Sequence, residues 1–130
     1  MDYKENRQPS ICIDMKKGRV RIHKETLYML GEPKYIEILV NPKKGGFIIR
    51  TSAGGKNSHT VELEKLVEIK QCYELYSRPF IREIRTLDDS LKTTRSYRIS
   101  GYLNPERTAA FFSLDDATVI DNGKDAVLYA

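Results

Sequence analysis

Five cations crowd one short stretch of the chain. Lys16, Lys17, Arg19, Arg21 and Lys24 surround a glycine, Gly18, between two runs of alternating apolar residues. Each Lys or Arg that neutralises a phosphate releases condensed counterions, so a rigid corner carrying several of them suits a polyanion and loosens as salt rises. An arginine fork can also read a guanine edge. The competing arrangement for Arg19 and Arg21 is an outward strand face, where each pairs with an Asp or Glu across the sheet for little stability.

Other chemistry finds less support. His23 and His59 have no Cys or His partner at zinc spacing. Cys72 and His59 can be drawn as a nucleophile pair, but Cys12 and Cys72 both sit in apolar segments and read as reduced, buried thiols. Two cysteines make no disulfide framework. Asp88-Asp89 and Asp115-Asp116 read as helix caps or solvated turns. Gly45-Gly46 and Gly54-Gly55 lack the strand, lysine and helix of a phosphate loop. Tyr97, Tyr102, Phe111 and Phe112 have the ring faces to stack bases of single-stranded nucleic acid, although packing in the core of the last sheet is the preferred role. No catalytic residue, cofactor or metal is expected, and the chain is not read as an enzyme.

The elements that position the cations follow from period and punctuation. Ile11 to Met15 alternates as a half-buried strand, Lys16-Lys17-Gly18 turns, and Arg19 to Ile22 returns with Val20 and Ile22 inward. His23 to Leu30 reads as a short helix ended by Gly31. Tyr35 to Val40 and Phe47 to Thr51 form a second hairpin around an Asn-Pro turn. Residues 52–58 read as a linker. Thr60 to Tyr76 shows helical spacing through Leu63, Leu66, Ile69, Tyr73 and Tyr76, and a second helix starts near Pro79 with Phe80, Ile84, Leu87 and Leu91 on one stripe. Strands are expected at Ser96 to Leu103, Ala109 to Leu114, Thr118 to Asp121 and Ala126 to Tyr129, with an Asn-Gly hairpin turn at Asp121 to Lys124. Leu39 to Ile49 resembles Tyr102 to Phe112 around its own Asn-Pro, either as a duplication or because Asn-Pro is a common way to leave a strand.

These elements give an α+β chain: a basic N-terminal β-hairpin/helix/β-hairpin unit at residues 11–51, a helical middle and a C-terminal antiparallel meander. Residues 1–10 would be a flexible arm, and residues 59–130 a second lobe. The length of 130 residues suits one domain or two small lobes. No apolar run reaches the length of a membrane span, and the polar N-terminus is no secretory signal, so a cytoplasmic protein is expected. Charge is uneven: residues 1–60 hold 12 Lys/Arg against 6 Asp/Glu, and residues 61–130 hold 10 against 12. An anionic partner would therefore meet the first half.

The pattern of a strand at Ile11 to Asp14, Gly18-Arg19-Val20-Arg21-Ile22, a short helix ending in Leu30-Gly31, Ile36-Glu37-Ile38 and a closing strand at Phe47 to Ile49 resembles the swapped-hairpin DNA-binding domain of the AbrB/MazE group. The resemblance covers residues 11–50. It implies a homodimer with interleaved hairpins, binding to double-stranded DNA, and a bacterial transcription regulator or antitoxin-like repressor. Arg19 would face the DNA, and Lys16, Lys17, Arg21 and Lys24 stand near enough in sequence to join it. A protein partner would then bind through residues 59–130. The alternative is a protein-interaction module, such as a phage- or mobile-element accessory protein with no DNA binding.

Overall fold

Alternation at the start of the chain builds a hairpin with one dry face. The computed structural model describes residues 8–68 and 71–120. In it β1 (Ser10–Asp14) and β2 (Arg19–His23) pair antiparallel, Ile11 opposite Ile22 and Ile13 opposite Val20. All four of these side chains are buried. The chain then enters α1 (Lys24–Met29), where His23 Nδ1 accepts the Glu25 N–H at 3.1 Å. Gly31 leaves the helix at φ +80°, a backbone that glycine adopts without strain. Buried Thr26 donates its hydroxyl to the Ser10 carbonyl at 3.1 Å and accepts the Ser10 N–H at 3.0 Å, which ties α1 back to β1.

The remaining elements are β3 (Tyr35–Asn41), β4 (Gly46–Ser52), β5 (His59–Thr60), α2 (Leu63–Glu68), β6 (Cys72–Tyr76), α3 (Arg78–Leu87), β7 (Ser96–Leu103) and β8 (Ala109–Val119). The protein is mixed but strand-dominated. The eight strands among the described residues join one curled antiparallel sheet in the order β5-β3-β4-β8-β7-β1-β2-β6. Inward residues of the sheet meet Leu27 of α1 and Leu30 at its end, Leu63 and Leu66 of α2, and Ile81 and Ile84 of α3 in a single core. Phe47 centres one side of it, stacked on Phe112 at 5.1 Å and edge-on to Phe80 at 5.2 Å. Near-complete burial of a phenylalanine contributes roughly 1.5–3 kcal/mol.

Three expectations are corrected. The helix expected through Tyr76 stops early, and Cys72 to Tyr76 is a strand. Its residues alternate, with Tyr73 and Leu75 toward the core and Cys72, Glu74 and Tyr76 outward, and β2 offers an edge that needs backbone partners. Ile69 of that expected helix lies outside the described residues. The units at 11–51 and 59–130 are not separate bodies, because the hairpin β7–β8 lies between β1–β2 and β3–β4 in the same sheet. Among the described residues the C-terminal meander is one long hairpin: β8 runs on to Val119 and takes in the start of the strand expected at 118–121. The Asn-Gly turn at 121–124, the strand at 126–129 and most of the expected arm lie outside the described residues.

The two Asn-Pro segments both leave strands at hairpin turns, and their hairpins sit side by side through the β4–β8 pairing. Glycine permits this closeness. A Cβ on Gly46 would collide with the Phe112 carbonyl oxygen, and one on Gly101 would collide with that of Phe111. Both seams of β8 thus depend on a missing side chain.

Candidate nucleic-acid interface

Because side chains alternate across a sheet, the residues opposite the core are as orderly as those inside it. On β7, β1, β2 and β6 one outward row reads Arg98, Cys12, Arg21, Glu74, each opposite the next. The next row toward the β1–β2 turn reads Ser96, Asp14, Arg19, Tyr76. A groove of about 950 Å³ lies over this face, with Lys16, Lys17, Arg19, Arg21 and Arg98 supplying its positive charge and Asp14 its carboxylate. That is room for a segment of a polymer rather than for one small ion.

Neighbouring carboxylates hold the two strand arginines. Arg19 Nη2 lies 3.4 Å from Asp14 Oδ2, while Asp14 Oδ1 accepts the Lys17 N–H at 3.0 Å and so braces the turn. Arg21 Nε donates to Glu74 Oε2 at 2.9 Å across the β2–β6 pair. The Arg21 side chain remains 43% exposed, so part of its fork stays open to a ligand. The Arg19 side chain is 16% exposed and braces the floor more than it reaches out. Its Nε is buried with no hydrogen-bond partner among the described residues.

A second cationic pocket lies round the corner of the turn. Ser77 donates its N–H to the Gly18 carbonyl at 2.9 Å, and a Cβ on Gly18 would stand only 3.0 Å from Cδ and Nε of Arg78. Gly18 sits at φ +67°, which favours glycine there in any case. Helix α3 starts at this contact, capped where Ser77 Oγ accepts the Phe80 N–H. It carries Arg78, Arg82 and Arg85 at positions i, i+4 and i+7, one stripe of a helix. These arginines and Lys16 line the second pocket beside Thr86, Thr93 and Thr94, with no carboxylate in its wall. Lys16 and Thr94 line both pockets, which makes one continuous band. Eight cations along it face two carboxylates, Asp14 and Glu74, so the band is strongly positive.

The structure therefore brings four of the five expected residues into one groove. Lys16 and Lys17 stand exposed at the turn, and Arg19 and Arg21 are outward on β2. Lys24 is set apart: it opens α1, donates its N–H to the Gln71 carbonyl at 2.8 Å and does not line the groove. Arg98, Arg78, Arg82 and Arg85 were missed in the sequence. The i, i+4, i+7 spacing of the α3 arginines was readable, but their meeting with Lys16 depends on the Gly18–Ser77 contact, which spans 59 residues of sequence.

Nucleophilic chemistry gains little here. Cys72 lies opposite His23 rather than His59, which sits on β5 at the far end of the strand order. Burial pushes the Cys72 thiol pKa up, more than Arg21 nearby pulls it down, so the reactive thiolate is scarce at neutral pH. His23 is committed to capping α1 through Nδ1. No cluster of three or more His, Cys, Asp or Glu with metal-binding placement occurs among the described residues. No helix among them is long and apolar enough to cross a membrane. No family model, curated protein or solved structure matches the chain.

Proposed function

We propose that this protein binds nucleic acid through the cationic band, as a DNA-binding regulator without a catalytic step of its own. The observation that carries this is the meeting of two cationic pockets at Lys16 and Thr94, one on the outer sheet face and one on α3. A polyphosphate laid over the β1–β2 turn meets positive charge on both sides of it. Phosphate contacts of this kind hold and orient a nucleic acid, and base contacts by Arg21 or Arg98 would add sequence preference. Dimerisation by interleaved hairpins is not part of the proposal, since β1–β2 is flanked on both sides by β7 and β6 of its own chain.

The test is fluorescence anisotropy of labelled DNA titrated with the full chain at several salt concentrations. The expected logarithmic plot of affinity against salt is steep, losing about 0.9 in slope for each duplex phosphate contact removed. Lys16→Glu with Arg82→Glu flattens it. Affinity that is absent, or indifferent to salt and to these changes, overturns the proposal.

A protein-interaction module is the second reading, favoured by one observation. Leu39, Ile48, Phe111 and Tyr102 form an apolar row across β3, β4, β8 and β7 on the same outer face. In that case the row meets a protein and DNA is ignored.

A further inference from the structure

Strand β7 links the cationic band to an aromatic platform. Its outward residues are Ser96, Arg98, Ser100 and Tyr102, while Tyr97, Ile99 and Gly101 face the core. Arg98 lines the groove. Tyr102, four residues on, is 65% exposed, and its ring stacks on Phe111 with centroids 5.3 Å apart and planes 15° from parallel. Behind Phe111 the row continues through Ile48 to Leu39. The four aromatics of this region thus divide. Tyr97 and Phe112 are buried in the core, whereas Tyr102 and Phe111 lie on the outer face.

Tyr102 is about as exposed as Tyr76, and what sets it apart is the Phe111 ring stacked on it. Packing rewards a buried face, and Tyr102 leaves most of its surface in water. A supported aromatic face beside a cationic groove matches the two halves of a nucleotide, base and phosphate. Bases inside a duplex stack on each other and offer no free face, while those of a single strand do. Arg98 and Tyr102 are about 13 Å apart along the strand, near enough for one extended chain to touch both.

We infer that the ligand of the outer face is single-stranded nucleic acid, one unpaired base stacking on Tyr102 while the adjoining phosphates run past Arg98 into the cationic band. The inference rests on the nucleic-acid function proposed above and narrows it to one form of the polymer. Arg98 supplies the grip nearest the platform, Ser100 and Ser10 lie between as polar floor, and the Phe111 ring supports one face of Tyr102.

The experiment compares a labelled oligothymidine with a random duplex of equal length at one salt concentration. It uses the full chain and its Tyr102→Ala, Tyr102→Trp and Arg98→Ala variants, each checked by thermal unfolding. The exposed position of Tyr102 leaves the fold intact in both of its variants. The expected result is preference for the single strand. Tyr102→Ala weakens that binding about tenfold or more without changing duplex binding, and Tyr102→Trp retains it. Arg98→Ala weakens both polymers. The single-strand assignment is overturned if Tyr102→Ala changes neither polymer, or both equally, or instead alters the sedimented mass, which would make the platform an interface between proteins. If neither polymer shows salt-dependent binding, the broader function falls with it.

Discussion

The outer face of the sheet has two halves built on the same backbone pattern and finished differently. On β7, β1, β2 and β6 the outward positions hold Arg98, Arg21 and Arg19, with the carboxylates Asp14 and Glu74 beside them. On β3, β4 and β8, with the end of β7, they hold the apolar row Leu39, Ile48, Phe111 and Tyr102, flanked on β3 and β4 by the ion pair Glu37–Arg50. The inner faces of both halves are alike, aliphatic and aromatic, and merge in one core. The fold is set from inside, where each large side chain contributes kilocalories. Outward cross-strand pairs contribute about 0.2–1 kcal/mol each and leave those positions free for recognition. A charged half beside a half crossed by one apolar row matches a ligand that is itself charged along one side and flat on the other.

The sharpest way to break this pairing of halves is to open the two seams of β8. Gly46→Ala and Gly101→Ala each drive a methyl group into a backbone carbonyl of β8. Backbone cannot swing aside as a side chain can, so each change should cost about 3 kcal/mol, at the upper end of overpacking effects. Chemical denaturation would show it. Gly45→Ala is the control: its Cβ would meet nothing within 4 Å, and it pays only the strain of its φ of +64°. A next, smaller effect comes from the band. Reversing Lys16 and Arg82 together should lower nucleic-acid affinity by more than tenfold while the denaturation midpoint hardly moves, since both side chains are exposed. Equal losses from reversing Lys34 and Lys43, exposed and outside both pockets, would mean that net charge and not the band is what DNA senses.

How far these halves could be read in advance follows from the range of each signal. The β1–β2 hairpin, α1 and the β3–β4 hairpin are legible because period, turn residues and a glycine stop all act within a few positions: Lys16-Lys17-Gly18 and Gly31 mark what they punctuate. Cys72 to Tyr76 was misread because Tyr73 and Tyr76 also fit a helical stripe, and the term that decides, an open β2 edge, lies some fifty residues away. The cationic turn was visible, but Arg98 was not linked to it, since only the β1–β7 register sets Arg98 beside Cys12 and Arg21. The split of the aromatics was readable in principle. Tyr97 and Tyr102 differ by an odd number of positions and so must face opposite ways in a regular strand.

A finer test sharpens the charged half alone. Glu74 holds Arg21 at 2.9 Å. Glu74→Gln keeps the shape, removes the competing charge and frees the arginine fork. Because Arg21 is 43% and Glu74 28% exposed, the pair contributes only about 0.2–1 kcal/mol to stability. The denaturation midpoint should therefore shift slightly down while nucleic-acid affinity rises a few-fold. A fall in affinity would mean that the pair holds Arg21 in its binding pose, and the floor would then have to be treated as rigid.

The smallest effect is one of pH, and it distinguishes the halves by their weakest strand. Burial raises the pKa of both the Cys72 thiol and the Tyr73 phenol, neighbours on β6 at the edge of the charged half. Their ordinary values are 9.0 and 10.0. A group whose pKa is raised by folding lends its stability in full below the ordinary value and loses it as pH climbs through the raised one. Stability should thus begin to decline near pH 9 and decline further above 10, with a shallow slope, because both groups are only partly buried. Cys72 should also react with iodoacetamide more slowly at pH 8 than an unhindered peptide thiol does, having less thiolate. Arg21→Ala should slow it again, since that guanidinium is the one influence pulling the thiol down. If hydrogen exchange at pH 9.5 opens β3 before β6, the edge of the charged half is not the weaker one, and the inner faces hold the two halves more evenly than the burial of these two groups implies.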